Sequence, residues 1–127
     1  MDARELALHL FQTTYYDSID RGDMATAVSA FHEDIQWSHV QVWEHHDYRR
    51  RDQPTRFNGR AKVQAFLSER VDKLKEAGIR HRVRELVCDG ERGAFLAAVE
   101  GPGPERPFFV WFEIRDGKVA RYTLRPL

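Results

Sequence analysis

The stretch that decides the fold runs from Pro107 to Arg125 and reads Pro-Phe-Phe-Val-Trp-Phe-Glu-Ile-Arg-Asp-Gly-Lys-Val-Ala-Arg-Tyr-Thr-Leu-Arg. Its two halves, residues 107–115 and 118–125, are rich in the aromatic and β-branched residues that strands prefer. The Asp-Gly dipeptide between them is typical of a two-residue hairpin turn. This part of the chain is therefore predicted to be a pair of antiparallel strands joined by a tight turn.

Two more segments upstream have the composition of strands. They are residues 81–88 and 94–100, separated by the turn signal Asp-Gly-Glu-Arg-Gly and followed by the break Gly-Pro-Gly-Pro. The four C-terminal strands predict an antiparallel meander. Residues 35–43 alternate and predict a separate strand, whose one face carries Ile35, Trp37, His39, Gln41 and Trp43. The polar residues 44–58 predict a loop with a short strand near Arg56 and Phe57.

Three helices are predicted in the N-terminal half. The first carries an apolar stripe at Leu8, Phe11, Tyr15 and Ile19, and Gly22 can end it. The second runs between Asp23 and Asp34, and the third between Gly59 and Gly78. The predicted class is α+β, a cone-shaped curved antiparallel sheet wrapped around these helices. Because three helices cannot fill the concave side, we expect an enclosed pocket in a single domain of residues 1–127.

Composition argues against several classes of protein. Twenty basic and twenty acidic residues cancel, whereas a nucleic-acid-binding surface usually needs a surplus of positive charge. The single cysteine, Cys88, leaves no internal disulfide and favours a reducing compartment. The charged start lacks the apolar run of a signal peptide, and no stretch approaches the length of a membrane span. We therefore expect a cytoplasmic protein with neither a nucleic-acid nor a membrane partner.

Four short motifs occur in the order found in a known superfamily. They are Tyr-Tyr-Asp-Ser-Ile-Asp-Arg-Gly-Asp at 15–23, Phe-His-Glu-Asp-Ile-Gln-Trp-Ser-His at 31–39, Phe-Asn-Gly-Arg at 57–60 and Phe-Glu-Ile-Arg-Asp-Gly-Lys-Val at 112–119. In these motifs the chain resembles the nuclear transport factor 2-like, or SnoaL-like, superfamily of ketosteroid isomerases, SnoaL-type polyketide cyclases and scytalone dehydratases. The resemblance implies a pocket for a small organic molecule. It implies no single activity, because the fold hosts enzymes, carriers and assembly domains.

At the catalytic positions the resemblance to the isomerases and cyclases is partial. Tyr15 precedes Asp23 at the spacing of the isomerases' oxyanion-binding tyrosine, and their general-base aspartate falls on His39. Their second oxyanion donor falls near Val110, whose side chain has no hydrogen to donate. The acid–base aspartate of the SnoaL-type cyclases falls near Leu124.

The resemblance to scytalone dehydratase implies a different pair of residues. His81 stands where that enzyme has a histidine at the start of the strand after the third helix, and Tyr16 and Asp17 match its Tyr-Asp pair. Its other histidine falls near Arg56. Asp17 and His81 would then form a carboxylate–imidazole pair, in which the carboxylate fixes the tautomer of the ring. Asp17 as a solvated helix residue is the alternative interpretation.

His39 is the leading candidate for proton transfer. It lies in mid-strand on the face that also carries Trp37, and an imidazole with its ordinary pKa of about 6.5 exchanges protons near neutral pH. A hydrogen-bonded core histidine is an equally good interpretation. Tyr15 either donates to a ligand carbonyl or finds a backbone acceptor, as buried tyrosines usually do.

Aromatic residues exceed what a minimal core requires, so we expect some of them to line the pocket. The predicted ligand contacts are Trp37, Tyr16, Phe112 and Gln41. Glu-His-His-Asp at 44–47 contains metal-ligand side chains, but adjacent histidines on an extended chain point in opposite directions. Three arginines at 49–51 are flanked by Asp47 and Asp52, which favours a solvated loop. We expect no metal and no cofactor.

Three classes of function stay open. The first is an enzyme that isomerises, dehydrates or cyclises a carbonyl compound, with His39 moving a proton and Tyr15 stabilising the oxyanion. The second is a non-catalytic carrier or sensor with the same pocket. The third is an assembly module that uses the outer sheet face. We also expect a homodimer through that face, because residues 107–115 carry large side chains on both faces of the strand.

Overall fold

The first helix of the computed structural model is unusual in its hydrogen bonding. The structure describes residues 1–44 and 53–127. Helix α1 consists of three continuous segments, which are α-helical over Ala3–Leu8, π-helical over His9–Tyr16 and α-helical over Asp17–Asp20. In the π-helical segment the backbone N–H of Asp17 donates to the carbonyl of Gln12, five residues earlier. Phe11, Tyr15 and Tyr16 are all buried on this segment.

The next helices follow the predicted glycine and aspartate signals with one interruption. Asp23 caps helix α2, Met24–Val28, by accepting from the backbone N–H of Thr26. Helices α3, Arg60–Glu69, and α4, Val71–Ala77, replace the single third helix that the pattern predicts. They are separated at Arg70, and α4 ends at Gly78 in the left-handed conformation.

Within residues 1–44 and 53–127, six strands form one sheet. They are β1 Phe31–His39, β2 Thr55–Asn58, β3 Arg80–Asp89, β4 Arg92–Glu100, β5 Arg106–Arg115 and β6 Lys118–Pro126. Their order is β2-β1-β6-β5-β4-β3, and the sheet is not closed. The meander of β3 to β6 is antiparallel as predicted, and the Asp-Gly turn between β5 and β6 has both residues at positive φ.

Strand β1 corrects the predicted bounds of one strand. It pairs in parallel with β6, so the mainly antiparallel sheet contains one parallel pair. A long connection joins the two strands, and no hairpin forces them to run in opposite directions. The strand also begins at Phe31 and ends at His39, whereas the alternation predicted residues 35–43 and placed Phe31 in the second helix. A bulge between Phe31 and Gln36 shifts the register, which hides the first half of the strand from a period-two pattern.

The core lies between α1 and the concave face of the sheet. Phe108, Val110 and Phe112 point inward from β5 and are fully buried, while Trp111 on the opposite face is 38% exposed. The architecture is the predicted α+β cone. No helix among the described residues is both long and apolar enough to cross a membrane.

Candidate functional site

A small cavity lies between α1, the junction of α3 with α4, and the concave face of the sheet. Its volume is about 30 Å³, which is room for roughly one water molecule. Its lining combines hydroxyl and imidazole groups, one guanidinium and apolar side chains, and comprises Tyr15, Tyr16, Ile19, His39, Trp43, Phe66, Leu67, Arg70, Leu74, His81, Tyr122 and Leu124. The sequence predicted four of these residues as site residues, namely His39, His81, Tyr15 and Tyr16. The fold brings their side chains together at this cavity.

The carboxylate that contacts His81 belongs to Asp20. Its Oδ1 lies 2.7 Å from His81 Nδ1, and its Oδ2 accepts the backbone N–H of His81 at 2.8 Å. The side chains of Asp20 and His81 are only 12% and 10% exposed. This two-point contact fixes the ring, and Nε2 is then the nitrogen left for a ligand. The imidazole also stacks on the ring of Tyr16, with 5.1 Å between centroids.

Asp17, the predicted partner of His81, has another role. Its Oδ1 accepts from the side-chain amide of Gln12 at 2.9 Å. The same amide donates to the carbonyl of His81, and Gln12 Oε1 accepts the backbone N–H of Val83. Asp20 lies nearly one helical turn after Asp17 on the same side of the helix. At that position its carboxylate, and not that of Asp17, reaches the His81 ring. Asp17 therefore orients Gln12, which ties the π-helical segment to β3.

His39 is held in a neutral state. Its imidazole stacks on Trp37 with 4.9 Å between ring centroids, and it makes no hydrogen bond within the described part of the chain. Removal from water lowers the pKa of His39 to about 3, and the positive charge of Arg70 adds to the effect. An unprotonated imidazole can accept one hydrogen bond and donate another, so His39 can bind a carbonyl or hydroxyl group.

Three buried tyrosines form a phenol cluster beside the two histidines. The hydroxyls of Tyr16 and Tyr122 are 2.8 Å apart, and the rings of Tyr15 and Tyr122 meet edge to face. Burial raises the pKa of all three hydroxyls well above the ordinary value, so they stay protonated. One of the Tyr16 and Tyr122 hydroxyls donates its hydrogen to the other. Trp37 Nε1 is close enough to the Tyr15 hydroxyl to offset part of the rise in the pKa of Tyr15. It lacks hydrogen-bond geometry, however, and is a buried donor without a partner among the described residues.

Arg70 adds a cation that the sequence analysis missed. The interruption between α3 and α4 falls on this residue, and its guanidinium lies 4.2 Å from the centre of the Phe66 ring. It also donates to the side-chain carbonyl of Gln41. Asp20 and Tyr122 were missed as well. Asp20 could have been predicted from its position near the end of α1. Tyr122 could have been predicted from its position on the inward face of the last strand.

The other predicted ligand contacts lie outside the lining of this cavity. Phe112 packs in the core against Phe11, 4.8 Å between centroids, because β5 places it nearer the turn. The ring of Trp37 stacks on the imidazole of His39. The side-chain amide of Gln41 donates to the carbonyl of Trp43, and its oxygen accepts from Arg70. The histidines and arginines of residues 45–52 lie outside the described residues. Within the described ranges, no group of three acidic, histidine or cysteine side chains is arranged to hold a metal.

A larger cleft of about 520 Å³ lies on the outer side of the Asp20–His81 pair. Its lining is Asp17, Asp20, Arg21, Gly78, Ile79, Arg80 and Arg82. This cleft is open to solvent, and no histidine or tyrosine lines it. We place the candidate site at the inner cavity, because the groups that can move protons converge there.

The comparisons with known structures agree with this architecture. A Kribbella flavida protein described provisionally as a ketosteroid isomerase superposes with a TM-score of 0.65 at 22% identity, over 98% of this chain and 77% of that one. A Xanthomonas campestris protein described provisionally as a polyketide cyclase gives 0.61 at 22% identity, over 97% and 91%. A nuclear transport factor 2-like protein of unknown function from Mesorhizobium loti gives 0.67 at 14% identity, over 100% and 95%. At these identities the likeness shows the fold alone.

The comparison with curated proteins finds no significant match. The model of one protein family, described as the SnoaL-like domain, matches residues 13–122, which is most of the chain. The matched range contains Tyr15, Asp20, His39, His81 and Tyr122. This chain therefore belongs to the SnoaL-like domain family, within the nuclear transport factor 2-like superfamily whose motifs it carries.

Proposed function

We propose that this protein binds a small carbonyl compound in the inner cavity and catalyses a proton transfer on it, as in an isomerisation, dehydration or cyclisation. The observation that carries the proposal is the Asp20–His81 pair. Its imidazole lines the cavity beside the tyrosines, and its other ring nitrogen is held by a carboxylate 2.7 Å away. A carboxylate on one nitrogen stabilises the imidazolium that forms when the other nitrogen accepts a proton.

Each lining group has a distinct role in this proposal. His81 takes the proton through Nε2, because Nδ1 is engaged by Asp20. Tyr15 donates to the carbonyl oxygen, since its raised pKa keeps the hydroxyl protonated. His39, which the sequence favoured as the base, is a weaker acceptor with a pKa of about 3 and supplies a neutral hydrogen-bonding group instead.

The test is deuterium uptake by small ketones in D₂O. Cyclohexanone, 2-cyclohexenone and acetophenone are incubated with the protein, and replacement of their α-hydrogens is followed by NMR. We expect the protein to accelerate exchange of at least one probe, and His81→Gln to slow that exchange roughly 100-fold, the usual contribution of a general base. His9→Gln is the matched control, because His9 is exposed on the outer side of α1.

The outcomes of that experiment separate the assignments. If His39→Gln removes the exchange and His81→Gln leaves it, the base is His39. If a probe binds to the wild-type protein without exchange, the carrier or sensor reading is correct. Exchange that is equal in the wild type and in both histidine variants contradicts proton transfer in this cavity.

A second candidate function is a dimeric assembly module, which the small cavity volume of about 30 Å³ favours. A ligand of several heavy atoms must displace lining side chains before it fits. Arg70 and His39, which are only partly buried, are the groups best placed to move. An assembly module would retain no small molecule and would keep its oligomeric state when His81 is replaced.

We propose, for either function, a homodimer through the outer face of the sheet. Two rows of side chains cross that face in the strand register, Val87-Ala94-Trp111-Thr123 and Leu96-Phe109-Arg125. Val87, Leu96 and Trp111 are 68%, 39% and 38% exposed. Large apolar side chains that adjoin across three strands support a contact with a second copy of the chain.

A further inference from the structure

Arg106 is a half-buried residue whose guanidinium has no acidic partner among the described residues. Its Nε and Nη2 atoms are both buried and have no hydrogen-bond partner among the described residues. Burying two guanidinium donor atoms without a partner is unfavourable. Buried polar groups in folded proteins are nearly always satisfied, which makes this pair of donors a sign of a missing partner.

The strand register places Arg106 on the concave face beside the candidate site. Arg106 pairs with Val99, and Val99 pairs with His81 on the next strand. The three side chains therefore share one face, on which Val99 is fully buried and His81 is 8% exposed. Two strand spacings separate Arg106 from His81, which is about 10 Å between their Cα atoms. Phe108 follows Arg106 by two residues and contacts the His81 ring at 6.2 Å between centroids.

The acidic residues near Arg106 are engaged elsewhere. Glu105, its chain neighbour, pairs with Arg84. Glu100 accepts from both Arg82 and Arg84. Within residues 1–44 and 53–127, no carboxylate forms an ion pair with Arg106.

We propose that Arg106 is the binding site for the carboxylate of the ligand, so that the ligand class is a small organic acid bearing a carbonyl or hydroxyl group. The N–H bonds of Nε and Nη2 run side by side, and this edge of the guanidinium matches the two oxygens of a carboxylate. Arg106 lies outside the lining of the inner cavity, so a ligand that reaches both Arg106 and His81 must displace side chains between them. The carbonyl end rests on the proposed function, whereas the carboxylate site stands on Arg106 alone.

The experiment compares carboxylates with neutral amides of the same shape. Acetate against acetamide and benzoate against benzamide are titrated at constant ionic strength, set with sodium chloride, while thermal unfolding is recorded. We expect benzoate or acetate to raise the unfolding temperature of the wild type in a saturable way, and the matching amide to leave it unchanged. Arg106→Gln weakens carboxylate binding at least tenfold, whereas Arg92→Gln, the same charge change at an exposed position at the start of β4, keeps it.

Two further readouts keep the test decisive. In buffer without carboxylates, Arg106→Gln is as stable as the wild type or more stable, because an unpaired cation has been removed from a half-buried position. If that variant fails to fold, the Arg106 Nε–H resonance of the wild type decides, since benzoate must shift it and benzamide must not. Equal effects of acid and amide, or undiminished carboxylate binding by Arg106→Gln, overturn the proposal.

This result is distinguishable from the fate of the proposed function. If carboxylates bind at Arg106 but no ketone exchanges deuterium, the proposal of a carboxylate site stands and the proposal of catalysis is contradicted. Exchange that depends on His81 without carboxylate binding leaves the catalysis and removes the site.

Discussion

At the residue scale, two histidines and three tyrosines line the inner cavity, and one of the histidines contacts the carboxylate of Asp20. His39, His81, Tyr15 and Tyr16 meet at one cavity, and the strand alternation and helical stripe that led to them are local patterns. The contact between His81 and the carboxylate of Asp20 joins residues that are 61 positions apart in the chain. No local sequence pattern indicates that Asp20, rather than Asp17, is the partner of His81. The π-helical segment just before them changes the angle between successive side chains, which defeats extrapolation from an ideal α-helix.

Acid sensitivity tests the environment of His39. Burial lowers its pKa from the ordinary 6.5 to about 3, so between these values the unfolded chain binds a proton that the folded protein cannot. Stability is therefore lost as the pH falls below about 6.5, with a slope of at most about 1.4 kcal/mol per pH unit from this residue. We expect His39→Gln to reduce the slope of unfolding free energy between pH 6 and pH 4 in urea titrations. His9→Gln should match the wild type, and an unchanged slope in His39→Gln would show that His39 is not desolvated.

The two-point contact of Asp20 predicts an asymmetry between two similar substitutions. In Asp20→Asn the amide cannot accept from both the ring and the backbone N–H of His81, so a buried donor loses its partner. We expect a loss of about 2 kcal/mol in unfolding free energy. Asp17→Asn keeps an oxygen to accept from Gln12 and should lose less than about 0.5 kcal/mol. Equal losses in the two variants would contradict the assignment of Asp20 as the partner of His81.

At the scale of elements, the antiparallel hairpins were predictable and the placement of β1 was not. The turn residues and the alternation of β3 to β6 are local, and they locate these strands to within about two residues. The parallel pairing of β1 with β6 depends on the long connection between them, and the bulge after Phe31 interrupts the periodic pattern. The break at Arg70 was hidden for another reason, because Val63, Leu67 and Leu74 keep one apolar face on both sides of it.

Gly93 in β4 offers a test of how closely the strands approach. A Cβ atom there would lie 2.2 Å from the carbonyl oxygen of Val87 and 2.8 Å from the Phe112 ring. We expect Gly93→Ala to lower the unfolding free energy by about 3 kcal/mol in urea denaturation, because backbone must move. Gly101→Ala is the control, since its closest contact is the Cγ2 methyl of Ile79 at 2.9 Å and the nearest backbone atoms are 3.3 Å away, and it should lose only about 1 kcal/mol. A smaller loss at Gly93 than at Gly101 would contradict this packing.

At the scale of the whole molecule, the sheet has one face over the core and one face outside. Phe108, Val110 and Phe112 alternate with the more exposed Phe109 and Trp111, as the composition of β5 predicted. The cavity between α1 and the concave face of the sheet has a volume of only about 30 Å³. What fills it depends on side-chain positions that sequence patterns do not encode.

The outer face makes a prediction about assembly. Trp111→Lys places a charge in the middle of the apolar rows, where a second chain would have to bury it. We expect the wild type to sediment as a dimer at micromolar concentration and Trp111→Lys to sediment as a monomer with an unchanged circular dichroism spectrum. Ala61→Lys, an exposed position on α3, should remain a dimer. A wild type that sediments as a monomer would remove the homodimer proposal.

The central claim is that the inner cavity binds a small organic molecule, and native mass spectrometry tests it most directly. The protein is measured as purified and after addition of cyclohexanone, acetophenone or benzoate, alongside Ile19→Phe, which fills the cavity from α1. The account predicts twice the mass of the chain, plus a small-molecule mass that organic solvent releases and that Ile19→Phe does not retain. Chains with no bound mass under any of these conditions, or a bound mass that Ile19→Phe retains equally, would contradict it.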